Sequence, residues 1–530
     1  MKNLKFKKLK TMKKRMSISI YKFFTAFALF FLFSITACDK SITEREKLES
    51  FLPANIDQQA GNWKTVVLAN ANEISIPEPS SVQSNEYKSE LAQLKTTVSK
   101  LTNEQKEVVK YWSGGVILRW NQIMRELVAK YNLPPVHNSD GTYPFPDPNN
   151  PLAYPLFPFA NPPYAARAYA YIAVAQYDAL VAAWNYKFKF NRPAPSKTDN
   201  TIQALVPIGN LPSYPSEDAV IAAASLETMK LLFPGEVNFL TQKAEECKNY
   251  ALWSGKNVLS DIIAGEALGK AVAAKAVARA RTDGAGAAAG NVEMWKSLAQ
   301  SAIEKGETPW ISLETPHRPP MLPAFGKVKP WMFTTEQMIS FRPAPPPSTK
   351  SEQMKKEIEE VKWYAKNMTR ERLRIVHFWA DGVGTYTPPG HWNAIAADLV
   401  IKAKMSEVRA ARIFALTNMS LMDAAIACWD VKNFYFNPRP SQLDPSIKTG
   451  TGVPNFPAYT SGHSTFSSTA ATVLSYLFPN ESQKLQNMAL EASMSRLYGG
   501  IHYRSDCEMG AAHGKVIGQY TINWAKQAGE

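Results

Sequence analysis

The feature that most restricts what this chain can fold into is an internal repeat. Ala165-Ala166-Arg167, the run from Asp178 to Trp184 and Lys187 return as Ala410-Ala411-Arg412, the run from Asp423 to Trp429 and Lys432, at an offset of 245 residues. At the same offset Pro212, Tyr214 and Ser216, with Leu232-Phe233-Pro234, return as Pro457, Tyr459 and Ser461, with Leu477-Phe478-Pro479. Gly255, Asp261, Gly265, Gly269 and Lys270 likewise return as Gly500, Asp506, Gly510, Gly514 and Lys515. Ala-rich stretches with helical apolar spacing cover 165–184, 216–233, 410–429 and 464–478, and alternating β patterns are scarce. The chain therefore reads as all-α, with two tandem homologous helical bundles. Residues 38–150 form a helical lead-in and connector, 151–290 the first bundle, 291–405 a connector with a Trp/Pro-rich segment, and 406–530 the second bundle. Pro134–Pro163 and Pro309–Pro347 read as irregular.

The N-terminus reads as an address. Residues 1–37 carry nine Lys/Arg and no Asp/Glu, and an apolar run through Phe23, Phe30, Phe31 and Leu32 stops at Ile35-Thr36-Ala37-Cys38. That is the pattern of a lipoprotein signal, with residues 1–37 removed and lipid on Cys38. The expectation is an exported lipoprotein, periplasmic or on the cell surface, touching a membrane only through its lipid, with no second stretch able to span a bilayer. The formal charge of +14 falls to +5 once those nine residues are set aside, so no nucleic-acid partner is implied. Beyond Cys38 only Cys247, Cys428 and Cys507 remain, an odd number without metal spacing, and no disulfide framework is expected.

Three segments of the second half concentrate unusual residues: Lys432 to Arg439-Pro440, Phe456 to Ser461-Gly462-His463, and Ser495-Arg496 through His502 to Asp506. Lys432, Arg439 and Arg496 supply three cations, and guanidinium forks suit an oxyanion. Ser461 and the Gly462 amide fall where a helix should begin, offering donors at its positive end. His502 and Asp506 are four apart, on one face if this segment is helical. Asp506 would then hold one ring nitrogen and leave the other as a lone pair for a nucleophile or ligand. His463 is a candidate proton-transfer partner. The first half has Ala194, Glu217, Asp218, Ala251 and Asn257 where the second has Arg439, Gly462, His463, Arg496 and His502. One active site per chain is expected, in the second bundle, with the first as scaffold.

Taken in order, Lys-x6-Arg-Pro, Ser-Gly-His and Ser-Arg-x5-His-x3-Asp resemble the three-part signature of the type 2 phosphatidic acid phosphatase and vanadium-dependent haloperoxidase superfamily. The resemblance implies that Lys432, Arg439, Ser461, Gly462 and Arg496 bind vanadate or phosphate and that His502 bonds to vanadium or phosphorus. It also implies that Asp506 orients His502 and that His463 is the acid or base. Thr460 departs from the proline usual before the serine. The segment from Trp379-Ala380-Asp381-Gly382 to His391-Trp392 is similar to one in the haloperoxidases, which makes Asp381 the expected partner of Arg496. Trp429 and Phe456 fall where that branch lines its halide pocket. The implied activity is oxidation of a halide, iodide or bromide, by hydrogen peroxide with vanadate as cofactor; large helical bodies of this family often pair, which leaves both a monomer and a homodimer open.

Three other readings stand beside it. An acid phosphatase would use the same residues, with His502 as nucleophile and His463 protonating the leaving group. A divalent-metal hydrolase would need His463, His502, Asp506 and His513 together, against three neighbouring cations. A non-catalytic binding lipoprotein would use both bundles as scaffold. His513 reads as a satisfied core histidine, and His317, His377 and His391 have no partner identifiable from sequence.

Overall fold

The computed structural model of the protein describes residues 48–143 and 161–529. The signal at 1–37, Cys38 and residues 144–160 of the first connector lie outside the described residues.

Helices of nine or more residues are numbered here in chain order. The lead-in carries α1 (Asn85–Ser99), α2 (Asn103–Trp112) and α3 (Val116–Tyr131). Then come α4 (Pro162–Phe190), α5 (Glu217–Leu232), α6 (Val237–Trp253) and α7 (Leu259–Arg281). The second connector holds α8 (Val292–Glu304), α9 (Glu352–Lys366), α10 (Arg370–Phe378) and α11 (Thr387–Lys402). The last group is α12 (Glu407–Tyr435), α13 (Gly462–Leu477), α14 (Ser482–Tyr498) and α15 (Arg504–Gln527). No β-strand occurs among the described residues, so the all-α expectation holds. The lead-in is less helical than the sequence suggested: residues 48–84 contain one short 3-10 turn, Gln58–Asn62.

Adding 245 to the bounds of α4, α5 and α6 gives those of α12, α13 and α14, and the start of α7 gives the start of α15. The local causes repeat as well. Asn161 and Ser406 cap α4 and α12, and Ser216 and Ser461 cap α5 and α13, each side chain accepting a backbone N–H from the first turn. Such a cap contributes about 1 kcal/mol. α4 and α12 both end on a left-handed residue, Asn191 (φ 49°) and Phe436 (φ 51°). The peptide bonds Tyr214–Pro215 and Tyr459–Thr460 are both cis.

α4 and α12 are apolar on nearly every face and pack against each other at the centre, as helices without a polar stripe must. The stretch Glu407–Leu443 is in fact long and apolar enough to cross a membrane, contrary to the sequence expectation, but it is buried within the body. Mid-helix Asp178 accepts the amides of Val66, Val67 and Leu68, and its counterpart Asp423 those of Trp331 and Met332. Each carboxylate pins an incoming loop onto a central helix. The repeated glycines have a packing reason: a Cβ on Gly265 or Gly269 would meet α5 or its cap at 2.4 Å, and one on Gly510 or Gly514 would come within 2.8 and 2.4 Å of the α13 segment. Close approach of α5 to α7 and of α13 to α15 depends on those missing side chains.

Candidate functional site

The three segments singled out from sequence converge where α12 ends, α13 begins and α14 turns into α15. Ser461 is the N-cap of α13, its hydroxyl accepting from Ser464 N at 3.3 Å, and its amide donates to Asp506 O at 2.9 Å. Gly462 is the first helical residue. A Cβ there would meet nothing nearer than Phe466 at 3.9 Å and Trp429 at 4.0 Å, so local packing leaves room in front of this helix end.

His502 is fully buried, with Nδ1 2.9 Å from Asp506 Oδ2 and Nε2 3.0 Å from Arg439 Nη1. The contact with Asp506 is made differently from the sequence expectation. His502 lies in the turn before α15, and Asp506 is in the first helical turn, where its Oδ2 also takes the amide of Tyr503 at 3.1 Å. The four-residue spacing works through a capping interaction and not through a shared helix face. Burial first, then Arg439 and Lys432, hold the imidazole well below its ordinary range, so it is neutral. With Asp506 accepting from Nδ1–H, the lone pair lies on Nε2. Burial pushes the Asp506 carboxyl up to about 7, and its Oδ1 is buried without a hydrogen-bond partner.

Arg439 donates from Nε to Phe456 O at 3.0 Å and from Nη1 to Ile501 O at 2.9 Å, leaving Nη2 buried and unpartnered. Arg496 donates from Nε to Ser495 Oγ at 2.8 Å and from Nη2 to Val376 O at 3.0 Å. Burial pulls both guanidinium groups down to about 10, and they stay charged. Lys432 departs from expectation. Its three N–H groups go to the carbonyls of Pro457 (2.8 Å), Ala458 (2.9 Å) and Thr460 (2.5 Å), so no donor is left for an anion. Three carbonyl acceptors hold the ammonium form against a burial that pulls it down to about 7. Lys432 therefore stitches the loop before Ser461 and adds positive field.

His463 is half-buried, its Nε2 fully so and without a partner. Burial and then Arg496 hold it well below the ordinary imidazole range, while the backbone of Trp379 and Ala380 acts in the opposite direction. Asp381 makes no ion pair with Arg496, which corrects that expectation. In a left-handed turn (φ 44°), it faces His391 Nδ1 at 3.0 Å, and it reaches Arg496 only through its field. His391 stacks on Trp379 with ring centroids 4.4 Å apart. Sequence reading gave His391 no partner, and Val376, Trp379 and Ser495 no role. Only the fold brings α10 and α11 against α14 and α13. Trp429 and Phe456 lie together, centroids 5.0 Å apart, with Lys432 Nζ and Arg439 Cζ each 5.0 Å from the Phe456 ring.

His317 Nδ1 lies 2.8 Å from Ser312 O. His513 is buried but not satisfied: neither ring nitrogen has a hydrogen-bond partner, and burial pushes it down to about 3. Among the described residues no three His, Cys, Asp or Glu side chains group to hold a metal ion.

The arrangement suits an oxyanion. Arg439 Nη2 and His463 Nε2 are buried and unpartnered, a second guanidinium and a helix N-terminus stand beside them, and the Nε2 lone pair of neutral His502 accepts from Arg439 Nη1, a contact that a ligand on Nε2 would replace.

The family model of the PAP2 superfamily matches residues 412–530, which span all three segments. No curated protein matches the chain by sequence. Among solved structures, a bacterial vanadium-dependent iodoperoxidase superposes with a TM-score of 0.53 at 25% identity, over 68% of this chain and 91% of that one. A bacterial vanadium-dependent chloroperoxidase in its holo form reaches a TM-score of 0.49 at 13% identity, over 69% of this chain and 92% of that one. The body thus has the helical fold of the vanadium-dependent haloperoxidases, and its C-terminal residues 412–530 match the PAP2 superfamily.

Proposed function

We propose that this protein is a vanadate-dependent haloperoxidase that uses hydrogen peroxide to oxidise halide, iodide or bromide, to hypohalous acid. The observation that carries the reading is the pairing of a neutral, Asp506-held His502 with an Arg439 guanidinium whose Nη2 is buried and unpartnered. The likeness to a bacterial iodoperoxidase supports the halide chemistry over phosphate chemistry.

Vanadate would be held by Arg439, Arg496, Ser461 and the Gly462 amide, with His502 Nε2 as the vanadium ligand. When bound it supplies a Lewis acid that activates peroxide without changing oxidation state. The chain's own residues do the rest. Asp506 fixes the tautomer of His502, and the two guanidiniums stabilise charge building on oxygen as the O–O bond breaks. Neutral His463 accepts the proton of hydrogen peroxide at Nε2. Lys432 keeps the loop 457–460 in shape and adds to the field. Trp429 and Phe456 present an apolar wall for a weakly hydrated halide.

The test is peroxide-dependent iodide oxidation by the purified, metal-stripped protein with and without orthovanadate, beside His502→Ala. Vanadate-dependent activity lost in the variant supports the proposal. Absence of oxidation, with vanadate-inhibited hydrolysis of a phosphomonoester that needs His502, would assign the site to an acid phosphatase instead. Export is part of the same proposal, with the protein lipid-anchored through Cys38 at the periplasmic or outer surface. Mass spectrometry of the mature N-terminus should find residues 1–37 gone and lipid on Cys38.

A further inference from the structure

The loop that leads into α13 has a counterpart in the first bundle with a different surface. At the offset of 245, Leu205, Val206 and Pro207 stand where the second bundle has Gly450, Thr451 and Gly452. In the second bundle this turn is covered by the chain itself, since a Cβ on Gly450 would meet Met368 at 3.3 Å and Val376 at 3.8 Å. In the first, Leu205 is 43% exposed, and its amide donates to Ser254 O at 3.0 Å, which fixes the loop to the end of α6. A large apolar side chain is thus held in water where its repeat keeps a glycine under cover.

A second apolar stretch lies against this loop. Leu52 is 47% exposed, and a Cβ on Gly209 would come within 3.7 Å of its Cδ2. Phe51, Leu52 and Pro53 line one groove with Val206 and Ile208. Residues 50–56 and 200–216 contain no Asp, Glu, Lys or Arg. The exposed charges that flank them, Glu49 and Lys404, whose carbonyl accepts the Ala54 amide at 2.8 Å, are of opposite sign. The chain enters the body at the same place: Leu48 packs on Gly114, where a Cβ would meet Leu48 Cβ at 2.5 Å. Nine residues, 39–47, separate Leu48 from Cys38, a span that reaches at most about 35 Å when extended. They carry three acids and three bases, so the tether itself has no net charge.

We propose that the face formed by residues 51–53 and 205–208 is a membrane-docking surface that dips into the interface of a zwitterionic bilayer and fixes the orientation of the body on it. The inference rests on Cys38 as the lipid anchor and is independent of the reaction catalysed in the second bundle. A short tether keeps this face at high local concentration beside the bilayer, so weak contacts suffice. Leu52 and Leu205 gain by leaving water, and no fixed charge has to be desolvated with them. Docking of this kind is insensitive to salt, because no lipid charge is recognised.

The experiment takes the mature lipidated protein in phosphatidylcholine vesicles, with an environment-sensitive fluorophore on Leu205→Cys or, as reference, on Leu490→Cys of α14, a position 62% exposed. Cys247, Cys428 and Cys507 are buried, which directs the label to the new thiol. Lipids brominated in their acyl chains should quench the label at 205 at least about twofold more than the label at 490, at low and at high salt alike. Leu52→Asp should lower the quenching at 205 by at least about twofold while circular dichroism shows the fold unchanged. Equal quenching at the two positions, or quenching at 205 that Leu52→Asp leaves intact, would overturn the assignment. So would a label at 205 that is shielded but not quenched, which gives the face to a second copy of the chain. Mass spectrometry of the same preparation separates the two readings: Cys38 without lipid removes the anchor, whereas lipid present with equal quenching removes the docking face alone. The comparison of 205 with 490 decides the matter even where Leu52→Asp does not fold.

Discussion

The two bundles place cations at the same end of the same helices and treat them in opposite ways. In the first, Lys187 and Lys256 are neutralised by Glu217 and Asp218, and burial notwithstanding, the two lysines pull Glu217 down to about 2. In the second, Gly462 and His463 stand at those two positions, and among the described residues no carboxylate closes an ion pair with Arg439 or Arg496, which Asp506 and Asp381 reach only through their fields. Lys187 and Lys432 both donate to two equivalent loop carbonyls, Pro212 and Ser213 in the first bundle and Pro457 and Ala458 in the second, but the third contact of Lys187 is the Glu217 carboxylate and that of Lys432 the carbonyl of Thr460. Glu217 and Asp218 in place of Gly462 and His463, with Ala194 and Ala251 in place of Arg439 and Arg496, separate a self-satisfied cluster of ion pairs from one whose buried cations have no carboxylate paired to them. Charges buried without a partner are costly, so the second bundle gives up stability at this end that an anion bound to Arg439 Nη2 would restore.

The sharpest way to break this comparison is to write the first bundle's answer into the second. Gly462→Glu has room for its Cβ, and its carboxylate should take the place of the external anion. Vanadate binding, read by equilibrium dialysis, should fall on the order of 10³-fold or more, as should activity in His502→Ala. Gly462→Glu should unfold no earlier than wild type. Retained vanadate binding in Gly462→Glu would show that the guanidiniums of Arg439 and Arg496 are not the anion site.

The reverse change comes next. Glu217→Gln takes from buried Lys187 its one carboxylate and leaves Lys256 only Asp218, and urea denaturation should show a loss of about 3–5 kcal/mol. A loss below about 1 kcal/mol would mean that the pair is not held against burial as described.

Asp381→Asn tests the support that α10 and α11 give the second site and the first lacks. It weakens the hold on His391 and the field at Arg496, so vanadate affinity should drop about 10–100-fold with little change in melting temperature. An unchanged affinity would reduce Asp381 to a local turn residue.

At neutral pH the smallest effect is that of the buried histidines, which shows only as acid is added. His513, and likewise His502 and His463, are neutral when folded, because burial lowers their proton affinity. Below about pH 6.5 the unfolded chain binds protons that the folded chain refuses, so their contribution is complete above that pH and is lost as the pH falls. For His513 the loss runs from about 6.5 down to about 3, at up to about 1.4 kcal/mol per pH unit. Replacing His513 with Leu should flatten the acid limb of stability measured by thermal unfolding, whereas an identical limb would place the acid sensitivity elsewhere.

Much of the site was legible because its residues are close in sequence and chemically uncommon. Ser461 could be placed at a helix start from the proline before it and the apolar run after it, and the His502–Asp506 contact followed from spacing even though a capping turn makes it. The partner of Asp381 could not be read in this way. His391 is ten residues away across a left-handed turn, and nothing in the local pattern says that the turn closes on itself rather than on Arg496. The unpartnered His513 shows the same limit, since helical spacing marks it as core but not whether a hydrogen-bond partner waits there.

By itself the sequence determined the helices, their duplication at 245 residues and the inventory of cations, imidazoles and carboxylates, because helical periodicity, caps and glycine contacts are local or nearly so. Tertiary structure alone decided which donors remain for a ligand. Whether Lys432 points at an anion or at three carbonyls, and whether Glu217 closes an ion pair, depends on where separate segments meet once each buried polar group has sought a partner.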